Sequence, residues 1–165
     1  TGVVATIVIL LQIVLGEDAP IFWIFFSMNV IFMQLSYIPM IPEALQVIKA
    51  WGFEYKTTAF VWVKLSRHSD GIFWGMGYWT RSNVEICMLA TKGHPKRVAK
   101  NIHQVIISHV EEHSKKPTEA RRRIEALMGD VPKIELFARR PARGWDVWGN
   151  EVVSDIVMKE SDGID

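Results

Sequence analysis

The first 42 residues contain neither lysine nor arginine, and their only charges are Glu17 and Asp18. All 19 basic residues therefore fall in 43–165, where 16 acids leave that part of the chain at +3. Within the opening block, 3–15 is apolar apart from Thr6 and Gln12, and 19–41 runs for 23 positions without a charge. A membrane span needs roughly 20 apolar residues, so length alone permits one. Ser27, Asn29, Gln34 and Ser36 dilute the second run, and Pro20 and Pro39 punctuate it. No basic flank sets an orientation, and the positively charged start of a secretory signal is absent. Buried strands of a parallel sheet also read as continuous apolar runs. That reading is preferred, with membrane contact by 1–41 as the alternative.

The remainder alternates helix and strand signals. Ile41-Pro42-Glu43 predicts a helix start, because proline suits the first helical position and an acid suits the first turn. Ala44, Leu45, Ile48 and Trp51 then share one face, and Gly52 ends the element. The β-branched and aromatic run 57–63 predicts a strand. Gly71, Gly75 and Gly77 surround Phe73 and Trp74, which predicts a mobile loop over 66–77 carrying exposed aromatics. A second strand is expected over 84–90, followed by the turn Lys92-Gly93-His94-Pro95. The run 102–110 is apolar and β-branched, and its type stays open. Pro117 starts a helix whose buried stripe is Ala120, Ile124, Leu127 and Met128, with Arg121, Arg122 and Arg123 outside it and Gly129 closing it. A short buried strand follows over 133–138, and 145–151 comes after a loop rich in proline and glycine. Such alternation predicts an open α/β sheet with helices packed on it.

At 165 residues and 49% apolar content, intrinsic disorder is excluded for most of the chain. The length fits one domain, over 1–158, with 159–165 as a frayed acidic tail. The single cysteine, Cys87, excludes an internal disulfide framework and a cysteine-cluster zinc site. It alternates with apolar neighbours and reads as a small core residue, and a lone cysteine fits a reduced, cytoplasmic setting. No histidine pairs with a carboxylate at helical i, i+4 spacing, so no metal site is read.

The net charge of +1 argues against a chain that is polybasic throughout. Locally the balance differs. Between 92 and 123, nine bases (Lys92, Lys96, Arg97, Lys100, Lys115, Lys116, Arg121, Arg122 and Arg123) face three acids, Glu111, Glu112 and Glu119. Four of the five histidines, His94, His103, His109 and His113, fall there too. Such a stretch can neutralise phosphates or can form an ordinary solvated surface.

Several motifs in order carry a family resemblance. They are Met40-Ile-Pro-Glu-Ala-Leu45, Ala50-Trp-Gly-Phe53, Phe60-Val-Trp-Val-Lys64, Gly77-Tyr-Trp-Thr-Arg-Ser-Asn83, Glu112-His-Ser-Lys-Lys-Pro117, Lys133-Ile-Glu-Leu-Phe-Ala-Arg139 and Gly144-Trp-Asp-Val-Trp-Gly-Asn150. Together they resemble the adenine-N6 methyltransferases, the family of the catalytic subunit of the messenger-RNA adenosine methyltransferase and its bacterial and phage DNA-modifying relatives. The resemblance runs over about two thirds of the chain, from 40 to 151. Glu17-Asp-Ala-Pro-Ile-Phe-Trp23 is similar to the strand that precedes the Pro42 helix in that family, which makes 25–39 an insertion.

The resemblance implies a Rossmann-like three-layer methyltransferase sheet, incomplete at its N-terminus, and S-adenosylmethionine as cofactor. It implies methylation of the N6 amine of adenine in DNA or RNA. The alternative is an inactive or truncated member that binds cofactor or nucleic acid only. Glu135 is placed on the cofactor ribose, since a carboxylate at a strand end can accept both hydroxyls of a diol. A charge between Ile134 and Leu136 must in any case find partners. Arg139 is placed beside the same ribose, and Asn150 and Glu151 at the ribose or adenine edge. Lys116, just before a helix N-terminus, is placed on the cofactor carboxylate. Tyr78, Trp79, Thr80 and Arg81 are placed near the methyl-transfer pocket, where aromatics can receive a flipped base. The competing structural readings are a surface Glu135 and Arg139, a turn at Asn150, ordinary capping at Lys116, and core positions for Tyr78 and Trp79. The family's Asp-Pro-Pro-Trp, whose aspartate and a backbone carbonyl accept the hydrogens of the amine, is absent from this sequence. Asp18-Ala-Pro20 with Trp23 is the nearest match, and the catalytic segment is expected before Thr1. No catalytic residue is carried over.

Overall fold

The computed structural model describes residues 4–13, 22–31, 40–112 and 115–157, the first two segments and Met40, Ile41 and Glu43 as backbone only. Their elements, in chain order, are β1 (Val4–Ile13), β2 (Phe22–Ile31), α1 (Met40–Ala50), β3 (Glu54–Leu65), β4 (Val84–Lys92), β5 (Val105–His109), α2 (Thr118–Met128), β6 (Ile134–Leu136) and β7 (Asp146–Trp148). The undecided run 102–110 is thus a strand at its centre, as its β-branched content allows. Among the described residues the strands form one sheet, in the order β5-β3-β4-β2-β1-β6-β7.

The sheet is mixed, which corrects the expectation of parallel strands. Only β3 with β5 and β6 with β7 run parallel. The apolar runs at the start of the chain do form strands, but β1 and β2 pair antiparallel, with Val8 opposite Ser27. Chain length accounts for this. Eight residues separate Ile13 from Phe22, whereas a parallel pair needs a crossover of a dozen or more. The residues of the expected insertion that precede Ile31 lie inside β2, and 32–39 fall outside the described residues. The same holds for Asp18 and Pro20, and for the acidic tail from 159. No helix among the described residues is long and apolar enough to cross a membrane.

Two apolar clusters cover opposite sheet faces. Phe60 and Trp62 from β3, Ile106 from β5, and Trp145 pack with Ile124 and Met128 of α2. Met88 and Ala90 from β4 and Ile134 and Leu136 from β6 pack with Ala44 and Ile48 of α1. This division follows from the two-residue period of a strand: Ile134 and Leu136 face α1, so Glu135 faces the α2 side. The α1 stripe is narrower than its spacing suggests, because Leu45 and Trp51 are exposed. On α2, Ile124 and Met128 are buried and Ala120 and Leu127 partly so. Arg121 and Arg123 do not simply lie outside that stripe. Arg121 reaches across to β6, while Arg123 Nε donates to Glu119 at 2.9 Å and Nη1 donates to the carbonyl of Val105 at 2.8 Å.

The loop expected over 66–77 is tied to the end of β3 by backbone hydrogen bonds. Phe73 N donates to the Lys64 carbonyl at 2.8 Å and Ser66 N to the Gly71 carbonyl at 2.8 Å. Gly75 is required by close approach, since a Cβ there would lie 1.8 Å from the Ser82 carbonyl oxygen. Of the two aromatics expected to be exposed, Trp74 is, at 74%, whereas Phe73 is half-buried.

Candidate functional site

Two acids interrupt apolar strands and face the α2 side. Glu135 sits in β6 between Leu10 of β1 and Val147 of β7 and is only 5% exposed. Glu85 is the second residue of β4, and its side chain is 11% exposed. Neither can stay ionised there without partners, and each has cations. Arg121 Nε donates to Glu135 Oε2 at 2.9 Å, and its Nη2 addresses the same oxygen. Lys64 lies 2.7 Å from Glu85 Oε1, and Lys116 pairs with Oε2. The Lys64 ammonium also lies 5.5 Å from the Trp62 ring centroid and 5.9 Å from that of Phe73, an arrangement that favours a cation.

Between these pairs lies a cavity of about 50 Å³, whose polar wall is Glu85, Lys116, Arg121 and Glu135 and whose apolar wall includes Trp62, Cys87 and Ile124. Two cations and two acids line it, and Lys64, which pairs with Glu85 without lining the cavity, brings the cluster to three cations against two acids. Burial holds the Lys116 ammonium below its usual pKa, and Glu85 offsets part of that shift. Burial pushes the Cys87 thiol up to about 12, with the Lys116 charge pulling the other way. Cys87 is therefore an inert thiol packed against the α2 cluster.

The structure brings two of the sequence-derived cofactor residues, Glu135 and Lys116, to this cavity. It does not bring the other three. Arg139 and Glu151 are exposed and form a 2.9 Å ion pair with each other, and Asn150 is exposed in the turn after β7. The reason is local. β6 ends at Leu136, and Phe137 takes φ 58, its ring stacked edge-on against Trp148 at 5.3 Å. The chain has therefore left the strand before Arg139. Tyr78, Trp79, Thr80 and Arg81 are all exposed, which removes the core reading of the two aromatics. Tyr78 and Trp79 meet edge to face at 5.2 Å, and the Arg81 guanidinium lies 5.2 Å from the Trp74 ring centroid. They precede Glu85 by four to seven positions, so the aromatic turn lies at the Glu85 end of β4, while Glu135 is level with Leu89 further along the strand, by way of Leu10 and Phe25. Lys116 itself precedes Pro117, which caps α2 without a side-chain hydrogen bond.

Sequence reasoning missed Glu85, Lys64 and Arg121. The signal for Glu85 was present, since an acid between Val84 and Ile86 breaks an apolar strand as Glu135 does. Among the described residues, no group of three or more histidine, cysteine, aspartate or glutamate side chains could hold a metal ion.

Comparison with known proteins settles the family. A family model described as MT-A70 matches residues 20–151, about four fifths of the chain. The chain belongs to the MT-A70 family of adenine-N6 methyltransferases. The match begins just before β2, leaving β1 outside it. Similar MT-A70 relatives include a type II methyltransferase M.MunI from a Mycoplasma species, 36% identical over 116 residues, which are 69% of this chain and 47% of that protein. Another is an N(6)-adenosine-methyltransferase MT-A70-like protein of Arabidopsis thaliana, 33% identical over 111 residues, 65% of this chain and 16% of the relative. The chain thus spans about half, or less, of the curated relatives it matches. A ligand with a diol at one end and a carboxylate at the other would find partners of fitting chemistry in Glu135 and Lys116. The space between them, about 50 Å³, would have to widen before a nucleotide-sized ligand, which needs roughly 300 Å³ or more, could enter it.

Proposed function

We propose that the chain is the cofactor-binding part of an S-adenosylmethionine-dependent methyltransferase acting on the N6 amine of adenine in DNA or RNA. The observation that carries this reading is the pairing, across one cavity, of a buried carboxylate, Glu135, with a buried ammonium, Lys116. Glu135 would accept the ribose hydroxyls, with Arg121 holding its Oε2. Lys116 would exchange its contact with Glu85 for the amino-acid carboxylate, taking up the excess positive charge. Arg139, Asn150 and Glu151 remain assigned to the outer edge of the same ligand on the resemblance alone. The bound cofactor supplies an electrophilic methyl group. Tyr78, Trp79, Thr80 and Arg81 would receive the unstacked adenine at the Glu85 end of β4. The reading takes 1–158 as one Rossmann-like domain of the cytoplasm.

Because the sequence lacks Asp-Pro-Pro-Trp, transfer by this chain alone should be slow. The test is label transfer from tritiated donor to single- and double-stranded oligonucleotides with and without adenine. Label recovered as N6-methyladenine, and lost with Lys116→Ala, is the expected result. No label in any adenine-containing polymer after prolonged incubation would contradict the proposed reaction.

A further inference from the structure

Around α2 and the cavity, cations are held by carboxylates: Lys64 and Lys116 by Glu85, Arg121 by Glu135, Arg123 by Glu119. The connection 93–104 between β4 and β5 is different. No acid occurs anywhere in 92–110, and Lys96, Arg97 and Lys100 are exposed with no ion-pair or hydrogen-bond partner among the described residues. Their backbone is nonetheless anchored. Val98 N donates to the Leu127 carbonyl at 2.7 Å, Gln104 Nε2 donates to the Thr58 carbonyl at 2.6 Å, and Arg123 holds the start of β5. Three unneutralised charges within five residues are thus displayed on a fixed support, so little ordering entropy opposes their use.

We propose that this loop is a second contact surface for the sugar–phosphate backbone of a nucleic-acid polymer, separate from the base-receiving turn. The inference rests on the nucleic-acid reading above and extends it to how the polymer lies. The loop leaves β4 at Lys92, while Tyr78–Arg81 precede its other end at Val84. Val98, among the three cations, is bound at the C-terminal end of α2, whereas the helix begins just after Lys116, which pairs with Glu85. A polymer that reaches both surfaces must therefore extend past the target base. An anionic membrane fits less well. Such surfaces interleave cations with large apolar side chains, and here Val98 is the only exposed large apolar residue between Lys96 and Lys100.

The experiment compares the chain with its Lys96→Gln/Arg97→Gln/Lys100→Gln variant, all surface positions. Binding to a labelled duplex of about 20 base pairs, to a single strand of about 5 nucleotides, and to phosphatidylserine vesicles is titrated between about 50 and 200 mM salt. The variant should lose about 2–3 from the slope of log K against log salt on the duplex, with the short strand and the donor titration unchanged. An unchanged slope overturns the proposal, as does an equal loss on the short strand or wild-type binding to vesicles but not to duplex. Donor binding without any polymer binding overturns this proposal alone. Polymer binding with the predicted slope loss but no donor binding overturns the cofactor reading instead.

Discussion

Arg121 holds the one charge in β6, and that contact makes a direct forecast. Replacing Glu135 by Gln removes the ionic partner of a half-buried guanidinium. Breaking such a pair costs less than in a dry core because Arg121 keeps some solvent, so a loss of about 2 kcal/mol in urea unfolding is expected. A loss under a few tenths would mean that the pair contributes nothing to the fold. Cys87 makes a second forecast. The folded thiol holds its proton up to about 12, against 9.0 when unfolded. Below pH 9 this contribution to stability is fully present, and it is lost as pH rises toward 12, because the unfolded chain releases a proton that the folded chain keeps. Alkylation by iodoacetamide at pH 8.5 should accordingly be far slower in the native chain than in urea, and Cys87→Ala should flatten the alkaline fall in stability. Glu135 was legible in the sequence because an acid between Ile134 and Leu136 has nowhere neutral to go. Arg121 was not, since helical spacing places it beside the stripe without saying how far its side chain reaches.

The β6–β7 pair owes its closeness to one small residue. A Cβ on Gly149 would lie 2.3 Å from the Ala138 carbonyl oxygen, where Ala138 N donates to the Trp148 carbonyl at 2.9 Å. Gly149→Ala must push the two segments apart at a cost of about 2 kcal/mol, and hydrogen exchange should show lost protection at Ala138. Retained protection would contradict the close approach. Helix α2 docks through Ile124 and Met128, so Ile124→Ala should cost about 3 kcal/mol through the cavity it leaves. Both helices and strands β3, β4 and β6 could be read from spacing and punctuation, whereas β5 and β7 could not, the first because a β-branched apolar run of nine residues suits either element. The direction of β1 and β2 could not, because continuous apolar runs suit either orientation and only the eight-residue link between them decides.

Across the whole molecule, the layout separates chemistry by sheet end. The aromatic turn, Glu85, Lys116 and the start of α2 gather at one end, and the unpaired cations of the β4–β5 loop leave from the other. Ordered motifs made the family visible, and periodicity made the helices visible. The grouping of Glu135 with Lys116 depends on α2 lying across the sheet, which neither signal encodes, and the sharp turn at Phe137 then carries Arg139 away from the group that the motif suggested. The central claim is that Glu135 and Lys116 grip the two ends of a methyl donor. Calorimetric titration of S-adenosylmethionine into the wild-type chain and into folded Glu135→Gln and Lys116→Met variants tests it most directly. The account predicts saturable binding by the wild type, weakened about tenfold or more by each change. Equal affinity in all three, or no binding by the wild type, would contradict it.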